Sequence, residues 1–436
     1  MMPNARQELS HLVSFQSVAG NNQFPTEESA KAAEWILTAC RELGLNEGGL
    51  YPAADGTSLV IASRQAPPGA PTVLLYSHYD VQPPLDAAAW HTPPFTLTER
   101  DNRWYGRGTA DCKGGVMMNL LALRALGRHP NIGITMVVEG SEELGSPGLV
   151  RFVRDNPDLV RADAILICDG GNAAVGQPTL TTSLRGNIHA LVTVRALQAQ
   201  VHSGMFGGAA PDPLAALTKM LAGLWDKAGN VTIRGLDNAG IWEGAEYPTD
   251  RFRREAGVLA DVDLLGDNIA NQVWARPSLT ILGIDCPSVQ ESVPVIQAQV
   301  RARLGLRVPP GIKSDFAYQA LADQLTLDAP WNVRVEVEHE ASGQPFTATQ
   351  GGPAYAAMQA AMRAAYGTET VTQGQGASIP VCTVFAEQFP DAEIMLMGLC
   401  EPEAMIHAPN ESLDPTELEN MAVAEALFLA SYGHSR

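Results

Sequence analysis

Residues 72–81 read TVLLYSHYDV: an apolar run from Val73 to Tyr76 that ends on an imidazole and a carboxylate, His78 and Asp80. An apolar run of this length without alternation predicts a strand buried on both faces, the pattern of a parallel sheet covered by helices. Two further runs have the same form. Residues 132–143, IGITMVVEGSEE, end on Glu142 and Glu143, and residues 162–169, ADAILICD, end on Asp169. Another strand is expected at 58–63. Helices are expected at 27–43, with Thr26 as N-cap and Ala33, Ile36, Leu37, Cys40 and Leu43 on one face, at 114–127, and near 146–154. Strand–helix alternation predicts α/β architecture, in which ligands gather at the carboxyl ends of the strands. The residues with chemical potential stand at those ends.

The pattern changes near Leu184. NIHALVTVRA (187–196) alternates, APDPLAALTKMLAGLWD (210–226) reads as a helix, and 278–284 and 295–304 alternate again. A helix near 315–326 and a strand near 332–338 complete an α+β sandwich with an antiparallel sheet. After Gly343 the first style returns: a helix at 353–366, strands near 380–385 and 393–398, and a helix at 415–431. The expectation is therefore a catalytic domain with a mostly parallel central sheet flanked by helices, built from 1–184 and 343–436 and interrupted by an inserted domain at 185–342. The polar stretch 227–275 receives no assignment.

The chain has 436 residues and a formal net charge of −19, with 45% hydrophobic and 18% charged residues. Two or more domains are expected at this length. The acidic balance argues against nucleic acid as a partner, because phosphate would be repelled. No apolar run is long enough to span a membrane, and MMPNARQELSHLV lacks the basic-then-apolar signal pattern. Cysteines 40, 112, 168, 286, 382 and 400 form no C-x-x-C pair. They read as reduced thiols, mostly small core residues, of a cytoplasmic protein.

His78 and Asp80, two apart on a strand end, face the same side. A carboxylate there can fix the tautomer of a metal-ligating imidazole, though a surface H-x-D would look the same. Asp111, in WYGRGTADCKGG (104–115), can bridge two ions with its two oxygens or simply cap a helix. Glu142 and Glu143 repel each other unless cations or protons intervene, or else they open a helix at its favourable end. Taken singly, Asp169, His407 in MIHAPNES (405–412), His202 in VHSGMFGG (201–208) and Arg307 in LGLRVPPG (304–311) read as turn, loop or surface residues. The functional reading is joint. Two imidazoles and three carboxylates, with a further carboxylate beside them, suffice for two divalent ions and for hydrolysis by metal-activated water.

At these residues the chain resembles the two-metal peptidase family of carboxypeptidase G, aminoacylase, carnosinase and cytosolic nonspecific dipeptidase. The resemblance rests on SHYDVQPP, WYGRGTADCKGG, EGSEELGSPGL, ILICDGG, VHSGMFGG, LGLRVPPG, GASIPV and MIHAPNES, in the family's order from 77 to 412. It implies that His78, Asp111 and Asp169 hold one metal and that Asp111, Glu143 and His407 hold the other, with Asp111 bridging. Glu142 would be the general base and Asp80 would orient His78. The bond after Asp111 is expected to be cis. The inserted domain would serve as lid and dimerisation domain, with His202 stabilising the oxyanion in the partner subunit. Arg307 would bind a substrate carboxylate, and Ser378 would contact substrate. Zinc is the first expectation for the two ions per subunit, with manganese or cobalt as alternatives. The expected partners are a small peptide substrate and a second copy of the chain, without nucleic acid or membrane.

EGSEE looks more like the dipeptidase branch than the deacylase branch. An N-acyl amino acid deacylase of the same fold is the alternative, and a non-catalytic binding protein a remote one. One departure stands out: many relatives have arginine four residues before the serine of the G-G-S-I-P segment, where this chain has Gly374, and Ala377 replaces the second glycine.

Overall fold

In the computed structural model, which describes residues 2–20, 23–127 and 131–433, the run 72–81 supplies the strand Thr72–His78, buried from Val73 to His78. It is β3 of a sheet formed with β1 (Glu47–Pro52), β2 (Ser58–Arg64), β4 (Gly133–Glu139), β5 (Ala164–Ile167), β6 (Thr179–Leu184) and β7 (Glu393–Leu396). The spatial order is β1-β2-β4-β3-β5-β7-β6. The four central strands, β4, β3, β5 and β7, are mutually parallel; β2 and β6 run antiparallel to them, and β1 pairs antiparallel with β2. The chain leaves β3 to one side for β4 and then crosses to the other side for β5. The carboxyl end of β3 is thus a switch point, where loops diverge and leave a crevice.

Helices Thr26–Glu42, Lys113–Leu126, Pro353–Tyr366 and Pro415–Tyr432 cover this sheet, with Ile36, Met117, Met358 and Phe428 in the core. The first begins one residue before the expected start: Thr26 is helical and Pro25 takes the capping position. Asp414 caps the last, its carboxylate accepting from the Thr416 N–H at 2.8 Å.

The chain divides into two units, one of residues 1–182, 348–373 and 380–436, the other of 183–347 together with 374–379. The second unit is built on an antiparallel sheet in the order Ser278–Asp285, Gln299–Val308, Gly186–Arg195, Arg334–Gly343. Burial alternates along Gln299–Val308, as a sheet with one covered face requires. Helices Pro213–Ala222 and Ser314–Leu327 supply the cover, and Val192, Leu217, Leu304 and Leu321 pack between.

Two expectations are corrected, and one unassigned stretch gains structure. The strand expected at 380–385 is the helix Pro380–Gln388. Its buried residues, Val381, Cys382, Val384 and Phe385, follow helical spacing. In so short a run the β-branched composition outweighed the period. The strand expected at 295–304 is two pieces. Val295–Ile296 pairs with Val201–His202, and Gln299–Val308 enters the main sheet. The unassigned stretch 227–275 contains the helix Thr249–Ala256 and an aromatic group in which Trp274 stacks on Tyr247 and meets Trp242 edge-on.

Candidate metal centre

The carboxyl end of β3 delivers His78, fully buried, between two carboxylates. Its Nε2 lies 3.0 Å from Asp111 Oδ1 and 3.2 Å from Asp169 Oδ1. The second oxygen of Asp111, Oδ2, lies 3.0 Å from His407 Nε2, which is 3.2 Å from Glu143 Oε2. One carboxylate therefore faces two imidazoles, one oxygen to each. Glu142 Oε2 stands 4.0 Å from His78 Nε2. Asp111, Glu143 and His407 offer ligand atoms all within 4.8 Å of one another, as do His78, Cys112 and Asp169.

Asp80 acts on two elements. The Nδ1 of His78 is 3.0 Å from the Asp80 carbonyl oxygen and 3.4 Å from its carboxylate. The carboxylate accepts the N–H groups of Glu142 and Glu143 at 3.1 and 3.0 Å. A buried acid that satisfies two adjacent amides fixes where those glutamates point. Glu143 is held further by Gln82, whose Nε2 donates to Oε2 at 2.7 Å.

Glu411 was not singled out from the sequence. It is fully buried and accepts the N–H groups of Gly108, Ala110 and Asp111, each at 3.0 Å. Arg107 Nη1 donates to it at 2.7 Å, and the same guanidinium lies over the Trp90 ring at 5.3 Å. Glu411 thereby shapes the loop that presents Asp111. No local pattern marks it, since its partners are some three hundred residues away in the chain. The Asp111–Cys112 peptide bond is cis. His407 has φ +61°, a left-handed conformation rare for a residue with a side chain, and its side chain remains 53% exposed.

The electrostatics follow from crowding acids in a buried place. Burial pushes the Glu142 carboxyl well above its usual range, and Asp169 and Asp111 push it further. Burial also raises Asp169 to about 6, against the pull of His78. Asp111 is held well below the usual range despite its burial, because His407 and His78 hydrogen-bond its anion. Those hydrogen bonds, with Asp111 first and Glu143 next, raise His407 to about 10. Among the described residues no lysine or arginine pairs with Asp111, Glu142, Glu143 or Asp169. Lys113, the nearest lysine in sequence, gives its Nζ to the Phe15 carbonyl at 2.6 Å. Four acids facing only two imidazoles form a donor set suited to hard or borderline divalent cations.

The remaining candidates lie in the second unit. His202 is exposed, and its Nδ1 accepts the Gly204 N–H at 3.1 Å. Arg307 is half-buried near the end of Gln299–Val308. Ser378 lies in the 374–379 segment, its Oγ 2.7 Å from where a Cβ on Gly343 would stand. Gly374 has a structural cause of its own: a Cβ there would come within 2.6 Å of Trp274. The indole occupies the space a longer side chain would need.

Such a gathering of ligands marks a metal-dependent hydrolase, and comparison with known proteins gives the lineage. Residues 74–431 match the model of peptidase family M20/M25/M40, and the chain belongs to that family. It is a metallopeptidase. The chain is 42% identical over 434 residues to the cysteinylglycine-S-conjugate dipeptidase of Corynebacterium striatum, covering 98% of this chain and 95% of that protein. It is 26% identical over 437 residues to the beta-Ala-His dipeptidase of Rattus norvegicus, covering 95% and 85%. The crystal structure of human carnosine dipeptidase 1 superposes with a TM-score of 0.81 at 25% identity, covering 99% of this chain and 96% of that one.

Proposed function

We propose that the protein hydrolyses dipeptides with two divalent ions, one held by His78, Asp111 and Asp169, the other by Asp111, Glu143 and His407. The observation that carries this reading is Asp111, whose two oxygens each face a different imidazole. Cys112 is grouped with His78 and Asp169, but its S–H is committed to the Cys168 carbonyl at 3.0 Å. Asp111 takes that place instead. Zinc is the first candidate, and manganese or cobalt would suit the same donors.

Ions held by these residues would supply Lewis-acid polarisation of the scissile carbonyl and a water molecule of lowered pKa. Glu142 accepts the proton of the attacking water and passes it to the amine as the C–N bond breaks. Asp80 keeps Glu142 in place through the backbone. Arg307 binds the substrate carboxylate, and Ser378 contacts substrate. His202 donates to the oxyanion in the active site of a second copy.

A homodimer through the second unit is supported by the edge strand Ser278–Asp285. It exposes Ile281, Leu282 and Ile284, a combination that favours pairing with another copy. Mixing inactive His202→Ala with inactive Glu142→Ala protein tests this geometry. Activity should return as subunits exchange, and silence despite demonstrated exchange would exclude it. The six free cysteines fit a reducing cytoplasm. The activity itself is tested by comparing one dipeptide with its N-acetylated form, using protein loaded with zinc or manganese. The free amine should be preferred, whereas preference for the acetylated form would make the protein a deacylase.

A further inference from the structure

Two arginines of the second unit share the neighbour Ser278, and neither forms an ion pair among the described residues. Arg307, on a central strand, faces Ser278 across one ladder and Asn187 across the other. Arg185 immediately precedes the strand that carries Asn187 and is only 8% exposed. Its Nη1 donates to Ser278 Oγ at 2.9 Å and to the Gln272 and Arg276 carbonyls at 3.3 and 3.5 Å. The residue opposite Arg307 is therefore the one that holds Arg185.

These three acceptors are neutral, so they orient Arg185 without offsetting its charge. Its buried Nε has no hydrogen-bond partner. Its Nη2 lies 2.8 Å from where a Cβ on Gly376 would stand, so the cation lies against the segment that carries Ser378. On another side, Trp225, Phe252, Val262 and Leu279, with Asp263 and Gln272, help line a cavity of about 450 Å³ against Arg185. The apolar part of that wall does not solvate a cation, and Asp263 forms no ion pair with Arg185. Burial and the nearby Arg307 charge both work against the protonated form of Arg185, lowering it to about 10. Neither guanidinium pairs with a carboxylate among the described residues. Uncompensated buried charge is costly, and one anion placed between two cations relieves both. A planar guanidinium fork recognises a carboxylate better than other small anions of one charge.

We propose that Arg185 is a second carboxylate-binding cation beside Arg307, so that two guanidinium groups hold the substrate's terminal carboxylate. This rests on the dipeptidase reading and on the role given there to Arg307.

The test measures kcat and KM for Arg185→Gln, Arg185→Lys and Arg307→Gln on one dipeptide and on its C-terminal amide. Glutamine keeps an N–H donor for the Gln272 and Arg276 carbonyls but removes the charge. Arg185→Gln should lower kcat/KM for the free acid roughly tenfold, mainly through KM. The amide should lose about twofold or less, and lysine should restore part of the free-acid loss. Equal losses on both substrates would make Arg185 a structural residue and overturn the proposal. If only Arg307→Gln distinguishes acid from amide, the role of Arg185 falls and the dipeptidase reading stands. If neither variant distinguishes them, the carboxylate role of Arg307 falls too. Should glutamine unfold the unit, Arg185→Lys decides alone, its loss having to be confined to the free acid.

Discussion

The ends of the two sheets are opposites in charge. At the carboxyl end of the parallel sheet, Asp111, Glu142, Glu143 and Asp169 crowd together with no lysine or arginine paired to them among the described residues. At one end of the antiparallel sheet, Arg185 and Arg307 both neighbour Ser278, and neither pairs with an acid among the described residues. Arg107, by contrast, is buried against the Glu411 carboxylate. Folding alone gains nothing from an unpaired buried charge, and such groups are kept where a ligand supplies the counter-charge. The acidic end suits the cations, and the basic end the carboxylate, that we propose for them.

Substitutions at the acidic end should have the largest effects and divide by role. Asp111→Ala should abolish turnover and lose metal together, because both proposed ions depend on it. Elemental analysis of purified protein checks this, and full metal content would refute the bridging role. Glu142→Gln should lower kcat by roughly 10²–10⁴-fold, the usual contribution of a general base, while metal content stays unchanged. Near-normal turnover would remove Glu142 from the chemistry.

The paired site should respond in stability before chemistry. Glu411→Ala leaves Arg107 as an uncompensated buried cation and frees three backbone amides. A loss of about 3–5 kcal/mol in urea unfolding is expected. A loss below about 1 kcal/mol would show that water replaces the carboxylate and that the pair resembles a surface one.

The smallest effect sharpens the contrast between acids that face cations and an acid that does not. Glu425 is fully buried, and burial raises its carboxyl to about 8. Between the ordinary glutamate range and pH 8 the folded state keeps this proton and the unfolded chain has lost it. Stability should therefore fall as pH rises through that window, by up to about 1.4 kcal/mol per pH unit. Glu425→Gln should flatten this dependence in denaturant titrations at successive pH values. An unchanged slope would mean that Glu425 is ionised in the folded protein.

How legible each part was depends on the range of the interactions that fix it. β3, β4 and β5 were readable because their apolar runs are long and end sharply on polar chemistry. Pro380–Gln388 was not, because a short run rich in valine fits either period until its neighbours choose one. The residues 227–275 had no period to read, and their order comes from contacts such as Trp274 on Tyr247. Glu411 stood in plain view within MIHAPNES, yet its role depends on amides far away in the chain. The same holds for Gly374, whose missing side chain makes sense only once Trp274 is seen over it.

The sequence by itself determined the mostly parallel sheet, because periodicity and burial are local properties that each segment carries alone. It also placed acids and imidazoles at strand ends, where such a sheet collects ligands. Only the tertiary structure decided that Asp111 divides its oxygens between His78 and His407, that Asp80 fixes Glu142 through the backbone, and that Arg185 meets Arg307 across Ser278. Charges interact over a few ångströms in space, whatever their separation along the chain, so their pairing is settled when the chain folds.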